Sequence, residues 1–232
     1  MLLDIQYGSK EDWEKHFQYL LKFFKDPRYE KKDNMPLFML FKTDFKEKKA
    51  YMEYLDKRCK ENGFNGLYLI ETCATLKEYK VMLNSMVNPC KRIFLREPGF
   101  SNSIYRNKLK YQPKRIYYKL KKAESSLLKK QYKVVKIFDG NDMFDCMINF
   151  KVNSEKVIRG IFFEWDNTPR HSYRGYIITA PKYDKFKEYY EIIKNNDYLF
   201  INAWNEWCEG MILEPTVKNK YKYLEWIRSV KK

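Results

Sequence analysis

The chain has 232 residues, of which 44% are hydrophobic, 18% aromatic and 33% charged, with 8 Gly and 8 Pro. This composition excludes disordered, collagen-like and low-complexity proteins, and the length suffices for one large core in a single domain spanning 1–232. Lys and Arg outnumber Asp and Glu by 46 to 30, which gives a net charge of +16. Because no apolar run is long enough to span a membrane and the N-terminus lacks signal-peptide features, we expect a cytoplasmic protein.

Hydrophobic periodicity predicts short apolar strands that alternate with amphipathic helices. In chain order these are a helix at 10–25, a strand at 36–41, a helix at 48–62, a strand at 66–70, a helix at 76–86, a strand at 92–95, a long loop at 96–118, a helix at 115–133, a strand at 157–163, a helix at 182–194, a strand at 198–204 and a helix at 221–230. This order predicts an α/β fold with a parallel sheet covered by helices.

Five such strands fit either an open doubly wound sheet or part of an eight-stranded barrel, and spacing alone does not separate the two. The glycine-rich phosphate-binding motifs of nucleotide-binding open sheets are absent from the sequence, which weakens the first alternative. The five cysteines are scattered and never spaced C-x-x-C, which predicts reduced thiols rather than disulfides or a zinc site. We therefore expect neither a structural metal nor a bound cofactor.

The excess positive charge is concentrated in the basic loop-helix segment at 103–136. This segment contains 12 Lys and Arg residues and one acidic residue, Glu124, so it carries +11 of the net +16. Apolar residues recur in it at helical spacing: Ile116, Leu120, Ala123 and Leu127. One interpretation is an amphipathic helix that packs its apolar face on the core, with the lysines in solvent.

The alternative interpretation of the same segment is a surface for a phosphate-bearing partner, which could be a lipid-linked sugar, a nucleotide sugar or an anionic membrane. A membrane partner would make the chain a peripheral protein at the inner membrane face. No RNP, helix-turn-helix or zinc-finger signature accompanies the charge, so we expect no nucleic-acid partner.

A cluster of polar and aromatic residues directly follows the last predicted strand, at 202–215. In parallel α/β folds, active sites assemble at the carboxyl ends of the strands. Glu206 and Glu209 are three residues apart, which in a helical turn places them on one face, and paired carboxylates can divide acid and base roles at a sugar. Trp204 and Trp207 offer apolar faces that suit sugar rings. The competing interpretation is two glutamates in the first turn of a helix, where the helix dipole favours them.

A second cluster, 163–171, follows the preceding strand. Asp166, Asn167 and Arg170 supply a carboxylate, an amide and a fixed cation, a set suited to binding hydroxyl groups or a phosphate. The alternative is a capped turn with surface charges.

Three stretches of the sequence resemble the WbsX-type family of glycosyltransferases. They are N-A-W-N-E-W-C-E-G-x-x-L-E-P at 202–215, W-D-N-T-P-R at 165–170, and the segment 6–29. That family is related to glycoside hydrolase families 99 and 71, the endo-α-mannosidase-like group. The resemblance implies a (β/α)8 barrel of the TIM type and a role in the biosynthesis of surface polysaccharide or lipopolysaccharide.

The resemblance also implies roles for individual residues. Glu206 would be the base that takes the proton of the sugar 2-hydroxyl, and Glu209 the general acid/base. The substrate-binding residues would be Trp204, Asn205, Trp207, Trp165, Asp166, Asn167 and Arg170. Cys208 stands where the mannosidases carry a histidine. The implied partner is an oligosaccharide or another glycan-linked substrate.

Relative to the family, the chain lacks an N-terminal portion that includes several strands. The implied fold is therefore an incomplete barrel with about five of the eight βα units. We expect a glycosyltransferase that acts on an α-linked sugar. One alternative is an endo-acting, endo-α-mannosidase-like glycoside hydrolase, and another is an inactive or split half-barrel that serves as a binding or assembly piece, with an N-terminal complementing chain as its partner.

Overall fold

The computed structural model of the chain describes residues 8–41, 43–86, 89–128, 134–152 and 154–231. Within these residues the chain divides into two compact units. Unit 1 comprises the chain up to Cys73 together with Lys80–Phe94, and unit 2 comprises Ala74–Tyr79 together with the chain from Leu95 onwards. The organisation of 1–232 as one catalytic domain stays a prediction. Every candidate site residue from the sequence lies in unit 2.

Unit 1 is built on a sheet whose strands follow one another in the order β1, β2, β3, β4. The elements up to the end of this sheet are α1 (Lys10–Phe24), β1 (Lys31–Lys32), β2 (Met35–Leu40), α2 (Lys48–Glu61), β3 (Tyr68–Cys73), α3 (Leu76–Asn84) and β4 (Cys90–Leu95). Strand β3 pairs with β2 in parallel, and β1 pairs with β2 in antiparallel orientation. All six residues of β3 are buried, as expected for a central strand.

Helix α1 shows how sequence pattern produces packing in this unit. Trp13 and Phe17 lie four residues apart on its buried face, and they join a core that includes Tyr51 and Leu55 of α2. The helix begins with a capping box between Ser9 and Asp12, because the Asp12 carboxylate accepts a hydrogen bond from the Ser9 amide at 2.9 Å.

Unit 2 contains the remaining elements. They are α4 (Gly99–Asn107), α5 (Gln112–Leu127), β5 (Lys136–Phe138), α6 (Gly140–Asn149), β6 (Val157–Ile161), β7 (Trp165–Asp166), α7 (Thr168–His171), β8 (Tyr176–Ile178), α8 (Tyr183–Ile193), β9 (Phe200–Ile201), β10 (Asn205–Glu206), β11 (Met211–Ile212) and α9 (Lys222–Val230). Strands β6 and β9 are parallel neighbours, with Ile161 beside Ile201. Their carboxyl ends therefore lie side by side, and the two polar clusters of the sequence begin there.

Unit 2 contains two further small sheets. Strand β8 lies between β5, with which it is parallel, and β7, with which it is antiparallel. Strands β10 and β11 form an antiparallel hairpin.

The five predicted strands are present as β2, β3, β4, β6 and β9, although β9 is only two residues long. The predicted loop at 96–118 is wrong, because it contains α4, a 3-10 turn and the start of α5. Helix α6 was not predicted, since its first residues, Asp139-Gly-Asn-Asp142, are typical of a turn, and Asp139 instead caps the helix by accepting from the Asn141 amide. The last part of the predicted helix 115–133, residues 129–133, lies outside the described residues.

The expectation that the apolar stripe of the basic segment packs on the core is wrong. No residue of α5 is buried, and Ile116, Leu120 and Leu127 are all exposed. None of the helices in the described ranges is both long and apolar enough to cross a bilayer. The cytoplasmic or peripheral location stays a prediction.

Candidate active site

The first half of the candidate site is the hairpin of β10 and β11. Asn205 pairs with Ile212 and Glu206 with Met211, while Trp207–Glu209 form a 3-10 turn between the strands. Gly210 closes the turn with a φ of +56°, a conformation that glycine adopts readily. Glu206 and Glu209 therefore lie on a strand and on a 3-10 turn, rather than on the single helical turn that their spacing suggested.

Backbone hydrogen bonds fix both sides of this hairpin. The Trp204 carbonyl accepts from the amides of Leu213 and Glu214, each at 3.0 Å, and the Asn202 amide donates to the Ile161 carbonyl at 2.8 Å. The indole N–H of Trp207 donates to the Glu214 carboxylate at 2.6 Å. The hairpin is thus attached to the end of β6, and the orientation of the Trp207 ring is set by a hydrogen bond.

The second half of the site is the segment from β7 into α7. Oδ1 of Asp166 accepts from the Thr168 amide at 2.9 Å and from its hydroxyl at 2.6 Å. Oδ1 of the buried Asn167 accepts from the Tyr176 amide at 2.8 Å. Both side chains therefore hold the local backbone, as the capped-turn interpretation expects, and this role fixes the position of the segment beside the hairpin.

The two halves meet at Gly210 and at one ion pair. A β-carbon on Gly210 would lie 2.9 Å from the Asp166 Cβ and 3.0 Å from its backbone nitrogen, so only glycine permits this close approach. The Arg170 guanidinium lies 2.8 Å from Oε1 of Glu209. The W-D-N-T-P-R and N-E-W-C-E-G motifs, which are well separated in sequence, are thus in direct contact.

The two candidate carboxylates occupy different environments. Glu209 is partly buried and ion-paired with Arg170. Glu206 is exposed, and within the described ranges its carboxylate forms neither a hydrogen bond nor an ion pair. Carboxylates in unlike surroundings are the arrangement in which acid and base roles can be divided.

A cleft of about 550 Å³ lies beside this junction and includes Trp165, Asp166, Trp207 and Gly210 in its lining. The volume is in the range of small-molecule sites. The indole nitrogen of Trp165 is buried and, among the residues described, has no hydrogen-bond partner. Trp204 and Asn205, also predicted to bind substrate, are exposed on the hairpin. The predicted site residues outside the cleft lining are Trp204, Asn205, Asn167, Arg170, Glu206 and Glu209.

A group of polar residues in this cleft, Glu164, Lys218 and Asn219, was missed by the sequence analysis. Glu164 accepts from the side-chain nitrogen of Asn219 at 2.5 Å and from Lys218 Nζ at 3.2 Å. Nothing in the local sequence marks Lys218 or Asn219, because their relation to Glu164 depends on the path of the chain between β11 and α9. The position of Glu164 after the predicted strand 157–163 was the one available signal.

Glu97 is a further missed residue, and it lies beneath the hairpin. Its carboxylate accepts from the Ser101 amide at 2.9 Å, and its backbone carbonyl accepts from the Asn202 side chain. Burial raises the pKa of Glu97 to about 7, and the hydrogen bonds from Ser101 and the charge of Arg159 only partly oppose this shift. Like the predicted site residues, Glu97 follows a strand, β4, but its sequence neighbourhood was interpreted as a loop.

Among the described residues there is no cluster of three or more His, Cys, Asp or Glu that could hold a metal ion. The expectation of no metal and no cofactor stays a prediction.

Comparison with known proteins decides the family. The family model described as Glycosyltransferase WbsX matches residues 1–227, nearly the whole chain. The chain belongs to the WbsX family. The resemblance inferred from the three sequence stretches is thus confirmed, and WbsX-family membership is the basis for considering a glycan as the substrate.

Two curated relatives cover only parts of this WbsX-family chain. Both are the uncharacterized protein WxcX of Xanthomonas campestris pv. campestris. The strain B100 protein is 28% identical over 101 residues, which is 40% of this chain and 14% of the relative. The strain ATCC 33913 protein is 33% identical over 73 residues, which is 28% of this chain and 10% of the relative. The chain therefore matches only a small part of the length of either relative.

The solved structures address the fold. A glycoside hydrolase-like protein superposes with a TM-score of 0.58 at 11% identity, covering 94% of this chain and 60% of that protein. A looser similarity, with a TM-score of 0.45 at 14% identity, is to a GH99 endo-alpha-mannosidase from Bacteroides thetaiotaomicron and covers 98% and 66% of the two chains. The predicted fold class, α/β of the incomplete (β/α)8 barrel type, is confirmed.

Proposed function

We propose that this WbsX-family chain is a glycosyltransferase of surface polysaccharide or lipopolysaccharide biosynthesis that acts on an α-linked sugar. Family membership supports a carbohydrate-active enzyme. The observation that carries the assignment of the site is the ion pair between Arg170 and Glu209, which joins the two family motifs, one of which also contains Glu206.

The chemistry follows from the two carboxylates. Glu206 accepts the proton of the sugar 2-hydroxyl, and the resulting oxygen attacks the anomeric carbon while the glycosidic bond breaks. Glu209 enters this step in its protonated form and gives its proton to the departing oxygen, so charge balances, and the carboxylate that results pairs with Arg170. In the second half, Glu209 takes the proton of an acceptor hydroxyl that opens the 1,2-anhydro sugar, and Glu206 returns its proton to O2. Arg170 therefore positions Glu209 in its ionised form, between the two halves of the reaction.

The aromatic rings and amides around the carboxylates complete the proposed site. Trp165 and Trp207 contribute to the lining of the cleft, and apolar ring faces of this kind suit sugar rings. Asp166 and Asn167 hold the local backbone from β7 into α7, while Trp204 and Asn205 extend the surface along the exposed edge. The substrate in this proposal is a glycan carried on a lipid, processed at the cytoplasmic face of the membrane.

The test is turnover of a panel of α-mannosyl and related oligosaccharides, with and without sugar acceptors. Glu206→Gln and Glu209→Gln should each lower kcat by at least about 100-fold, because each removes one proton-transfer group. Glu191→Gln, an exposed residue of α8 that is ion-paired with Lys194, is the matched control and should leave turnover unchanged.

The products separate the alternatives. Transfer to an acceptor supports the glycosyltransferase, and release of free sugar to water supports an endo-acting hydrolase at the same carboxylate pair. No turnover by folded, monodisperse protein across the panel would contradict an autonomous enzyme and would favour a half-barrel that acts with a complementing chain.

A further inference from the structure

Helix α5 is attached to unit 2 through its polar side. The Tyr118 hydroxyl accepts from the Ile137 amide at 2.8 Å and lies 3.3 Å from the Ile137 carbonyl, and its ring contacts Phe138 at a centroid distance of 6.1 Å. Lys114 Nζ lies 5.8 Å from the centre of the Phe138 ring. Lys114, Tyr118, Lys121 and Ser125 are partly buried and recur at helical spacing, so they define the inner face, and Gln112 and Arg115 in the first turn are partly buried as well.

The opposite face of α5 is apolar and exposed. Ile116, Leu120 and Leu127 are 51%, 65% and 83% exposed, and Ala123 between them is exposed as well. At 3.6 residues per turn this stripe is centred about 180° from the direction of Tyr118. A helix that only covered a protein core would have the reverse orientation, because burial of leucine and isoleucine is what stabilises such packing.

The charges beside this stripe match an anionic partner. Lys119 and Lys122 are exposed on one flank of the helix, next to Arg115, whose guanidinium donates to the Gln112 side chain at 3.0 Å. Glu124, the one acidic residue of α5, is ion-paired with Lys121 at 2.9 Å. A second copy of the helix would bring cation against cation, which disfavours self-association through this face. Apolar residues flanked by Lys and Arg are the arrangement by which amphipathic helices enter the interface of an anionic bilayer.

We propose that α5 is an in-plane anchor that binds an anionic lipid bilayer, with Ile116, Leu120, Ala123 and Leu127 among the acyl chains and the basic flank at the lipid phosphates. The helix is connected directly to the candidate site. Strand β5, which carries Ile137, pairs with β8, and β8 pairs with β7, which holds Trp165 and Asp166. Strand β5, which holds α5, is thus two strand spacings, about 10 Å, from β7 at the cleft.

The connection between α5 and the cleft would let membrane binding position the candidate site. A helix held this close to Trp165 would keep the cleft near the bilayer surface, where a glycan carried on a lipid presents its sugars. This last step, the substrate class, rests on the proposed glycosyltransferase function, whereas binding to the bilayer does not depend on it.

The test is flotation of the full chain with vesicles of phosphatidylcholine alone or mixed with phosphatidylglycerol. We expect binding to the mixed vesicles and little to pure phosphatidylcholine. Leu120→Asp should weaken binding at least about tenfold, since a charge then replaces an inserted apolar group. Val81→Asp, a similar change at an exposed apolar residue of α3, is the matched control and should bind like the parent.

The contribution of the basic residues of α5 is tested in the same flotation assay. The double change Lys119→Glu and Lys122→Glu should weaken binding at least about tenfold, because each Lys near an anionic surface contributes to attraction, whereas Lys187→Glu in α8 should have a smaller effect. Glycerol phosphate, the soluble headgroup, should not compete. Circular dichroism of every variant should match the parent, because the altered side chains are exposed.

Absence of flotation with the mixed vesicles, or equal flotation of the parent and Leu120→Asp, would overturn the anchor. So would a dimer in solution that Leu120→Asp dissociates, since the occupant of the stripe would then be a second copy. Because flotation requires no turnover, its outcome is independent of the activity panel.

Discussion

The hairpin of the candidate site and helix α5 both expose large apolar side chains, but they hold them in different ways. In the hairpin, Trp207 is 56% exposed while its indole nitrogen is bonded to Glu214 and the backbone below it is hydrogen-bonded to neighbouring segments. In α5, Leu120 is exposed with its helix attached through Tyr118 on the opposite side. The hairpin holds the Trp207 ring in a fixed orientation, which suits a ligand of defined shape. Helix α5 presents exposed apolar side chains, which suit a fluid partner such as a bilayer.

The contact between Gly210 and Asp166 is the most sensitive part of the hairpin. Gly210→Ala should lower turnover by orders of magnitude, because the added carbon separates the two motifs and with them Arg170 from Glu209. Gly63→Ala is the control, since Gly63 also has a positive φ, +88°, but has no atom within 4 Å of an added β-carbon. Chemical denaturation should show a cost of about 1 kcal/mol for Gly63→Ala and a larger cost for Gly210→Ala. Equal costs would contradict the close contact.

The next largest effect is the contribution of Glu97 to the pH dependence of the free energy of unfolding. In the folded state its pKa is raised to about 7, against an ordinary value of 4.5, so between these pH values the folded protein retains a proton that the unfolded chain has lost. Stability should therefore fall as pH rises from 4.5 to 7, by about 3 kcal/mol from this group.

Glu97→Gln should remove that part of the pH dependence while preserving the hydrogen bond from the Ser101 amide. The measurement is the free energy of unfolding of parent and variant across this pH range. The interpretation fails if the two stability curves remain parallel.

Loss of the Arg170 guanidinium should have an intermediate effect on kcat, because Arg170 positions Glu209. Arg170→Met removes the ion pair and keeps the aliphatic bulk, so kcat should fall by about 10- to 100-fold with KM less affected, because the proton-transfer group is no longer held in place. Arg170→Lys should restore part of kcat. A change confined to KM would instead indicate direct substrate binding by Arg170.

Truncation of an exposed apolar side chain of α5 should have the smallest effect on stability. Leu120→Ala should change the free energy of unfolding by less than about 0.5 kcal/mol, whereas Leu55→Ala, at a fully buried position of α2, should cost about 2–5 kcal/mol. A large cost at Leu120 would show that the stripe is packed in solution and would remove the basis of the membrane anchor.

The sequence predicted the alternating strands and helices well, because continuous apolar strands such as β3 and periodic helices such as α1 carry their burial pattern in the chain. It predicted the two polar clusters at strand ends for the same reason. It did not predict the pairing of Arg170 with Glu209 or the Glu164, Lys218 and Asn219 group, since these depend on how distant loops approach each other.

For α5 the amphipathic pattern was correct and the direction of the apolar face was wrong. Periodicity identifies two faces of a helix but does not specify which one contacts the protein. The tyrosine that decides the orientation, Tyr118, acts through a hydrogen bond to a strand that was not predicted. The buried Glu97 was missed because the segment 96–118 was interpreted as a loop, although it contains the short amphipathic helix α4.

If the two family motifs form one glycan-binding site, an α-mannosyl oligosaccharide should protect both motifs at once. Hydrogen-deuterium exchange of the full chain with and without this oligosaccharide locates binding without requiring turnover. We expect slower exchange at 165–170 and 203–215 together, and no slowing of either segment in Gly210→Ala. Protection elsewhere on the chain, or at one of the two segments alone, would show that the motifs do not form one site.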